Sequence, residues 1–202
     1  MTSKSPGIII ENLEKKYKAK YILEKLSITF KQGNIHIITG ENGSGKSTLI
    51  KCMMGLVHYQ GKITLPYTKI GYAPENYCLP EHLTIYEFLY SLGRLKRANK
   101  KIISHYMDIF HLKDYQDQLI RKLSHGMKQK LNLLQAMIHT PQVLFLDEPF
   151  RGIDQEAKIT LCELLNSIKK DTVIVISSHI NDYKLLKSKK IYSIRAGNIW
   201  PS

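Results

Sequence analysis

"IHIITGENGSGKSTLIKCMMGL", residues 35–56, joins a β-branched run to an apolar helical run through nine residues that include three glycines. The joint, Gly40–Thr48, fits the phosphate-loop pattern G-x-x-x-x-G-K-[ST] in spacing and in its strand-to-helix context. Gly40, Gly43 and Gly45 permit a backbone that wraps phosphates with its N–H groups turned inward, where a Cβ would obstruct. The N–H groups of Glu41, Asn42 and Ser44 belong to the same wrap, and Thr48 opens the helix whose N-terminus favours anionic charge. Lys46 supplies a positive charge to β- and γ-phosphates, and the Ser47 hydroxyl is placed to ligate Mg²⁺. The stretch predicts a nucleoside triphosphate site on an α/β fold.

Outward from it the chain alternates. Strand-like runs "GIII", "LSITF", "GKITL", "KIGYA", "VLFLD", "TVIVIS" and "IYSIR" are separated by helical stretches at 46–56, 155–169 and 180–187, while 84–139 reads mostly helical. With no repeat or linker to divide it, the 202-residue chain is expected to form one domain, an α/β core with a helical subdomain. The apolar runs fall short of the roughly 18 residues needed to span a bilayer. The start, "MTSKSPGIII", lacks a signal-peptide core of about 7 to 15 residues, so a cytosolic protein is expected. Cys52, Cys78 and Cys162 have no paired spacing and are expected to be reduced thiols. The net charge of +13 comes partly from lysine clusters at 15–20, 96–101 and 184–190. Such clusters suit nucleic acid, anionic lipid, a phosphate ligand or plain solvation, and charge alone does not decide.

"VLFLDEP" ends a buried strand with two acids, Asp147 and Glu148. A parallel strand next to the phosphate-loop strand would carry both to the γ-phosphate side of a nucleotide. Asp147 could then hold Mg²⁺, and Glu148 could take a proton from the attacking water or orient it.

"RKLSHGMKQKLNLL", residues 121–134, reads alone as a helix capped by Ser124. Placed in order with the phosphate loop, "FLDEP", "GID" at 152–154 and His179 after "VIVISS", it resembles the signature motif of the ABC ATPase family, over nearly the whole chain. The resemblance implies a P-loop nucleotide-binding domain with an antiparallel β portion and a helical subdomain. It implies ATP and Mg²⁺ as ligands, and a homodimer that sandwiches two ATP. Ser124, His125, Gly126 and Met127 would cover the γ-phosphate held by the other copy, with Asp154 at the dimer seam. Tyr17, in "LEKKYKAK", matches an aromatic that stacks on adenine, and His179 a histidine that contacts the γ-phosphate or the attacking water. Lys46, Glu148 and His179 would carry catalysis; Ser47, Asp147 and Glu75 would hold the metal.

The chain departs from the family pattern at three positions. His125 and Met127 replace the commoner Gly and Gln of the signature. Glu75, in "IGYAPEN", replaces a glutamine, keeping an oxygen ligand while adding charge and losing a donor. "GYAPE", "LPEHLTIYEFL" and "GMKQKL" look most like ATPases of bacterial exporters for drugs or lipids, and "DEPF" is similar to haem-exporter types. The resemblance therefore implies hydrolysis coupled to export through a separate transmembrane permease subunit, on the cytoplasmic face of the cell membrane. A groove at Glu75, Tyr77, Leu79 and Leu83 would dock that subunit, unless those apolar residues are ordinary core. The alternative of a soluble ABC ATPase acting on nucleic acid or ribosomes calls for a duplicated ATPase domain or a long coiled-coil insertion, which this sequence lacks. A phosphate-loop kinase would have no need of Ser124 or His179.

Overall fold

The first strands of the chain bury alternate residues. In the computed structural model, which describes residues 7–179 and 181–201, β1 (Ile8–Tyr17) turns Ile8, Ile10 and Leu13 inward, and β2 (Lys20–Phe30) does the same with Leu23, Leu26 and Phe30. Both outgrow the short runs "GIII" and "LSITF". The antiparallel ladder continues through Lys16↔Tyr21 and Tyr17↔Lys20, since backbone hydrogen bonds do not need apolar side chains. With β4 (Gln60–Thr64) they form a three-stranded antiparallel sheet in the order β2-β1-β4.

A second sheet of six strands carries the phosphate loop. β3 (Ile35–Thr39), β5 (Ile70–Ala73), β6 (Val143–Asp147), β7 (Val173–Ser177) and β8 (Lys189–Arg195) run parallel, and β9 (Asn198–Pro201) returns antiparallel on β8. The order is β5-β6-β7-β3-β8-β9. Strand alternation feeds two cores. Val143, Phe145, Val173 and Val175 face the antiparallel sheet and helix α1 (Lys46–Met53). Leu144, Leu146, Ile174 and Ile176 face a second cluster, shared with the remaining helices. Such continuous apolar runs are what a sheet covered on both faces requires.

Those helices are α2 (Ile85–Leu95), α3 (Lys100–Ile109), α4 (His125–Met137) and α5 (Gln155–Ile168). Each starts at a polar cap: Thr84, in a capping box with Glu87, then Asn99, Ser124 and Asp154. Two helical expectations are shortened. The first helix stops at Met53 instead of 56, because the N–H groups of Gly55 and Leu56 fold back onto the carbonyls of Cys52 and Lys51. The stretch at 180–187 is a 3₁₀ segment, Asn181–Leu185, with Ile180 outside the described residues. The Asn166 side chain, on α5, bonds the Leu185 carbonyl and the Lys187 N–H, which takes up backbone groups an α-helix would use. The three cysteines are free thiols; Cys52 and Cys162 are buried, and burial pushes the Cys52 thiol up to about 11. Among the described residues no helix is long and apolar enough to cross a membrane.

Candidate functional site

The loop between β3 and α1 is shaped by what only glycine tolerates. Gly45, at φ 108°, caps α1 in the left-handed region, and a Cβ there would press on Ile22 and Leu23 of β2 at 3.1–3.2 Å. The Lys46 side chain folds back over the loop and donates to the carbonyls of Gly40 (2.8 Å) and Glu41 (3.1 Å). At 7% exposure its ammonium is held where the loop's inward-facing groups converge. Ser44 Oγ is buried there without a protein partner.

The acids reach this loop by a route different from the one expected. β7 lies beside β3, and β6 is the next strand out, a lateral distance of roughly 10 Å at about 4.8 Å per strand. Side chains close the gap: Ser47 Oγ donates to Asp147 Oδ1 at 3.0 Å. Ser177, opposite Asp147 in the β6–β7 register, donates to the same oxygen. Along the chain the only signal for Ser177 was its place at the end of "VIVIS", and it was not among the expected site residues. The residue after β6, Glu148, sits at φ 52°, uncommon for a non-glycine, and its N–H is held by Ser177 O and Oγ, both at 3.1 Å. Its carboxylate is 5% exposed; Oε2 lies 2.8 Å from His179 Nδ1 and Oε1 3.9 Å from Lys46 Nζ. A buried carboxylate fixed between a histidine and a lysine, at the mouth of a phosphate loop, can accept a proton from a water.

Lys46, Ser47, Glu148 and His179 share a cleft of about 530 Å³ lined also by Tyr17, Ile22, Glu75 and Arg151. The Lys15 ammonium lies 4.5 Å from the Tyr17 ring centroid, so the open face of this half-exposed ring is the other one. Tyr21 lines the adjoining hollow on the far side of residues 40–44, with Lys16 over its ring at 3.9 Å. Tyr17→Ala should weaken ATP binding by about 1 to 2 kcal/mol, the worth of one base–aromatic stack, while Tyr21→Ala should not. Equilibrium titration of both variants with ATP checks this, and equal losses would move the base out of the Tyr17 cleft.

Glu75, expected as a metal ligand, is ion-paired. Its Oε1 is 2.5 Å from Arg151 Nη1, whereas Ser47 and Asp147 are already in contact with each other. Arg151, absent from the sequence-level candidates, is a long cation between two family-like segments, and nothing along the chain pointed it at Glu75.

The stretch 124–127 is not among the residues lining this cleft. Ser124 Oγ accepts from Met127 N–H at 3.2 Å and caps α4, with Ser124 and His125 exposed. Met127 packs on the helical core. The His125 ring covers Gly152, whose φ of 76° and lack of a Cβ allow the approach: a Cβ would meet that ring at 2.8 Å. Asp154 is engaged inside its own chain, accepting from Ala157 N–H and pairing with Lys130 at 2.7 Å. The Lys130 contact first, and the N–H bond second, hold its carboxyl below the usual range. Of the supposed docking groove, Leu79 is core, and Tyr77 and Leu83 pack against it. Apolar residues there mostly hold the helices together.

A family model described as ABC transporter matches residues 23–151. The zinc import ATP-binding protein ZnuC of Rickettsia conorii is 36% identical over 180 residues, covering 85% of this chain and 76% of its own. The ZnuC of Rickettsia bellii is 34% identical over 183 residues, covering 87% and 77%. A solved structure of the ATP binding subunit of an ABC transporter superposes with a TM-score of 0.87 at 26% identity, over 97% of this chain and 89% of that one. Phosphate loop, sheet order and these matches agree, and the chain belongs to the ABC transporter family as an ATP-binding component that hydrolyses ATP for transport.

Proposed function

We propose that the cleft binds Mg²⁺–ATP as one half of a two-chain sandwich and thereby drives a separate transmembrane subunit from the cytoplasmic face of the membrane. The observation that carries this reading is the isolation of Ser124–Met127 from the cleft of their own chain. A helix start with exposed Ser124 and first-turn N–H groups is an anion site awaiting a phosphate. The phosphate loop of a second copy supplies one. In this reading residues 1–75 and 141–202 form the ATP-binding core and 76–140 the helical subdomain. Asp154 sits beside the seam and steadies it from within, by capping α5 and pairing with Lys130.

Ser47 and Asp147 fit Mg²⁺: they are hard oxygen ligands 3.0 Å apart. Among the described residues no group of three or more His, Cys, Asp or Glu gathers to hold a metal, so the remaining ligands would be phosphate and water. Bound there, Mg²⁺ neutralises charge on the β- and γ-phosphates. Glu148 takes the proton of the water whose oxygen attacks the γ-phosphorus, while the bond to the β–γ bridging oxygen breaks and ADP leaves. His179 fixes the Glu148 carboxylate through Nδ1, and Lys46 balances charge on the phosphates. Arg151 already satisfies Glu75, which leaves Glu75 outside the metal's ligand set.

The direction of transport is open to the evidence of relatives. The two ZnuC proteins named above are described as zinc import proteins, and they favour import of a metal over the export that "GYAPE" and "DEPF" implied. Vesicles reconstituted with the membrane subunit, ATP outside and zinc on one side, would decide it by the side on which zinc accumulates. Action on nucleic acid rests on the +13 charge alone, and ATPase stimulation by RNA or DNA in place of a membrane subunit would revive it.

Ser124→Asp tests the sandwich with little damage to the fold, because Asp caps a helix as well as Ser. It sets a carboxylate against the partner's γ-phosphate. We expect the ATP-dependent dimer to disappear in light scattering, hydrolysis to fall roughly tenfold or more, and ATP binding to the monomer to stay within about twofold. A variant that dimerises and hydrolyses like its parent removes Ser124 from the partner's site.

A further inference from the structure

Two acids, Glu75 and Glu148, and three basic residues, Lys46, Arg151 and His179, line the cleft, and one pair has no part in the chemistry above. Arg151 Nη1 lies 2.5 Å from Glu75 Oε1, with the arginine 62% and the glutamate 30% exposed. Both backbones are anchored. The residue before Glu75, Pro74, accepts from Asn132 Nδ2 of α4 at 2.9 Å. The residue before Arg151, Phe150, is buried at 2%, and Arg151 N–H donates to the Glu148 carbonyl at 3.2 Å. The pair therefore links the loop after β5 to the loop after β6, at the rim of the space lined by Lys46, Ser47 and Glu148.

A triphosphate entering that space meets the carboxylates of Glu148 and Glu75, with Asp147 held behind Ser47, against Lys46. An unpaired Glu75 would repel it, and the rim is only partly shielded by water. We propose that Arg151 is a positioning residue for nucleotide binding, which neutralises Glu75 and holds its carboxylate against the rim, so that an acid is tolerated at this place in the cleft. The inference rests on the reading of the cleft as the triphosphate site. Arg151 acts through Glu75, and the two substitutions must therefore correct each other.

ATP binding measured by equilibrium titration in EDTA keeps both hydrolysis and Mg²⁺ out of the readout. Arg151→Gln should weaken ATP binding about fivefold to tenfold at low salt, and the loss should shrink as salt rises. Glu75→Gln should bind ATP as tightly as the parent or more so. The double variant Glu75→Gln/Arg151→Gln should return to within about twofold of the parent, and Arg151→Lys, which keeps the charge, to within about threefold. Thermal denaturation of each variant separates a folding defect from a binding one; the exposed pair should leave it nearly unchanged. Arg151→Gln binding like the parent overturns the proposal. So does a double variant as weak as Arg151→Gln alone, which would mean that Arg151 touches phosphate itself. Lys46→Ala, titrated in parallel, keeps the two readings apart: if it still binds ATP normally, the cleft assignment fails, and if it alone loses binding, only the role of Arg151 does.

Discussion

Glu148→Gln should lower ATP hydrolysis by about 10² to 10⁴-fold, the usual contribution of a positioned general base. The amide keeps the shape of the carboxylate, and its one oxygen can still accept from His179 N–H, while its NH2 cannot replace the oxygen that faces Lys46. What it loses is the capacity to accept a proton. The backbone should not suffer, since the left-handed conformation at residue 148 is held by its own N–H on Ser177 and not by the side chain. ATP binding should therefore persist, and the ATP-bound dimer should accumulate because the step that dissolves it is blocked. Single-turnover hydrolysis and light scattering read the two effects separately. A Glu148→Gln chain that hydrolyses at more than about a tenth of the parent rate would move the base elsewhere, and His179, 2.8 Å from Oε2, would be the next candidate.

Lys46→Ala should be as severe and should differ in kind. The Lys46 ammonium is buried, bridges the carbonyls of Gly40 and Glu41, and approaches Glu148 Oε1 at 3.9 Å. Its loss removes charge stabilisation from both the bound phosphates and the transferring group, so affinity and turnover fall together. We expect hydrolysis about 10² to 10³-fold lower, with ATP binding reduced as well. It also leaves the two loop carbonyls and the Glu148 carboxylate facing one another without a cation, so the loop should loosen. Faster amide hydrogen exchange at Gly40–Thr48 in the nucleotide-free variant would record that. Undiminished hydrolysis would contradict the site as a whole.

Part of this was written in the chain in one dimension. The phosphate loop is a local object: glycine spacing, one lysine, one hydroxyl and a strand-to-helix joint fix its geometry within nine residues, so "GENGSGKST" declares both ligand class and fold class. The apolar runs that become β3, β6 and β7 are legible because a strand covered on both faces is apolar at most positions, with His36 the one interior exception. The cap Ser124 also follows from a neighbour three residues away.

The remainder depended on which distant segments the folded chain brings together. Strand order is set by crossover packing and is invisible along the chain, so β7 between β3 and β6 came only with the sheet, and with it Ser177 on Asp147. Glu75 and Arg151 are 76 positions apart and meet at 2.5 Å because the ends of β5 and β6 are hydrogen-bonded neighbours. That meeting places Glu75, expected as a metal ligand, in an ion pair with Arg151. Tyr77, Leu79 and Leu83 could be read along the chain as docking groove or as core, and the structure puts Leu79 in the helical core with Tyr77 and Leu83 packed against it, since burial depends on what packs above a residue and not on its type. The amino-acid sequence determined the chemistry that each segment can offer; the tertiary structure decided which groups meet in one place to offer it, because residues far apart in the chain come into contact only through strand order and packing.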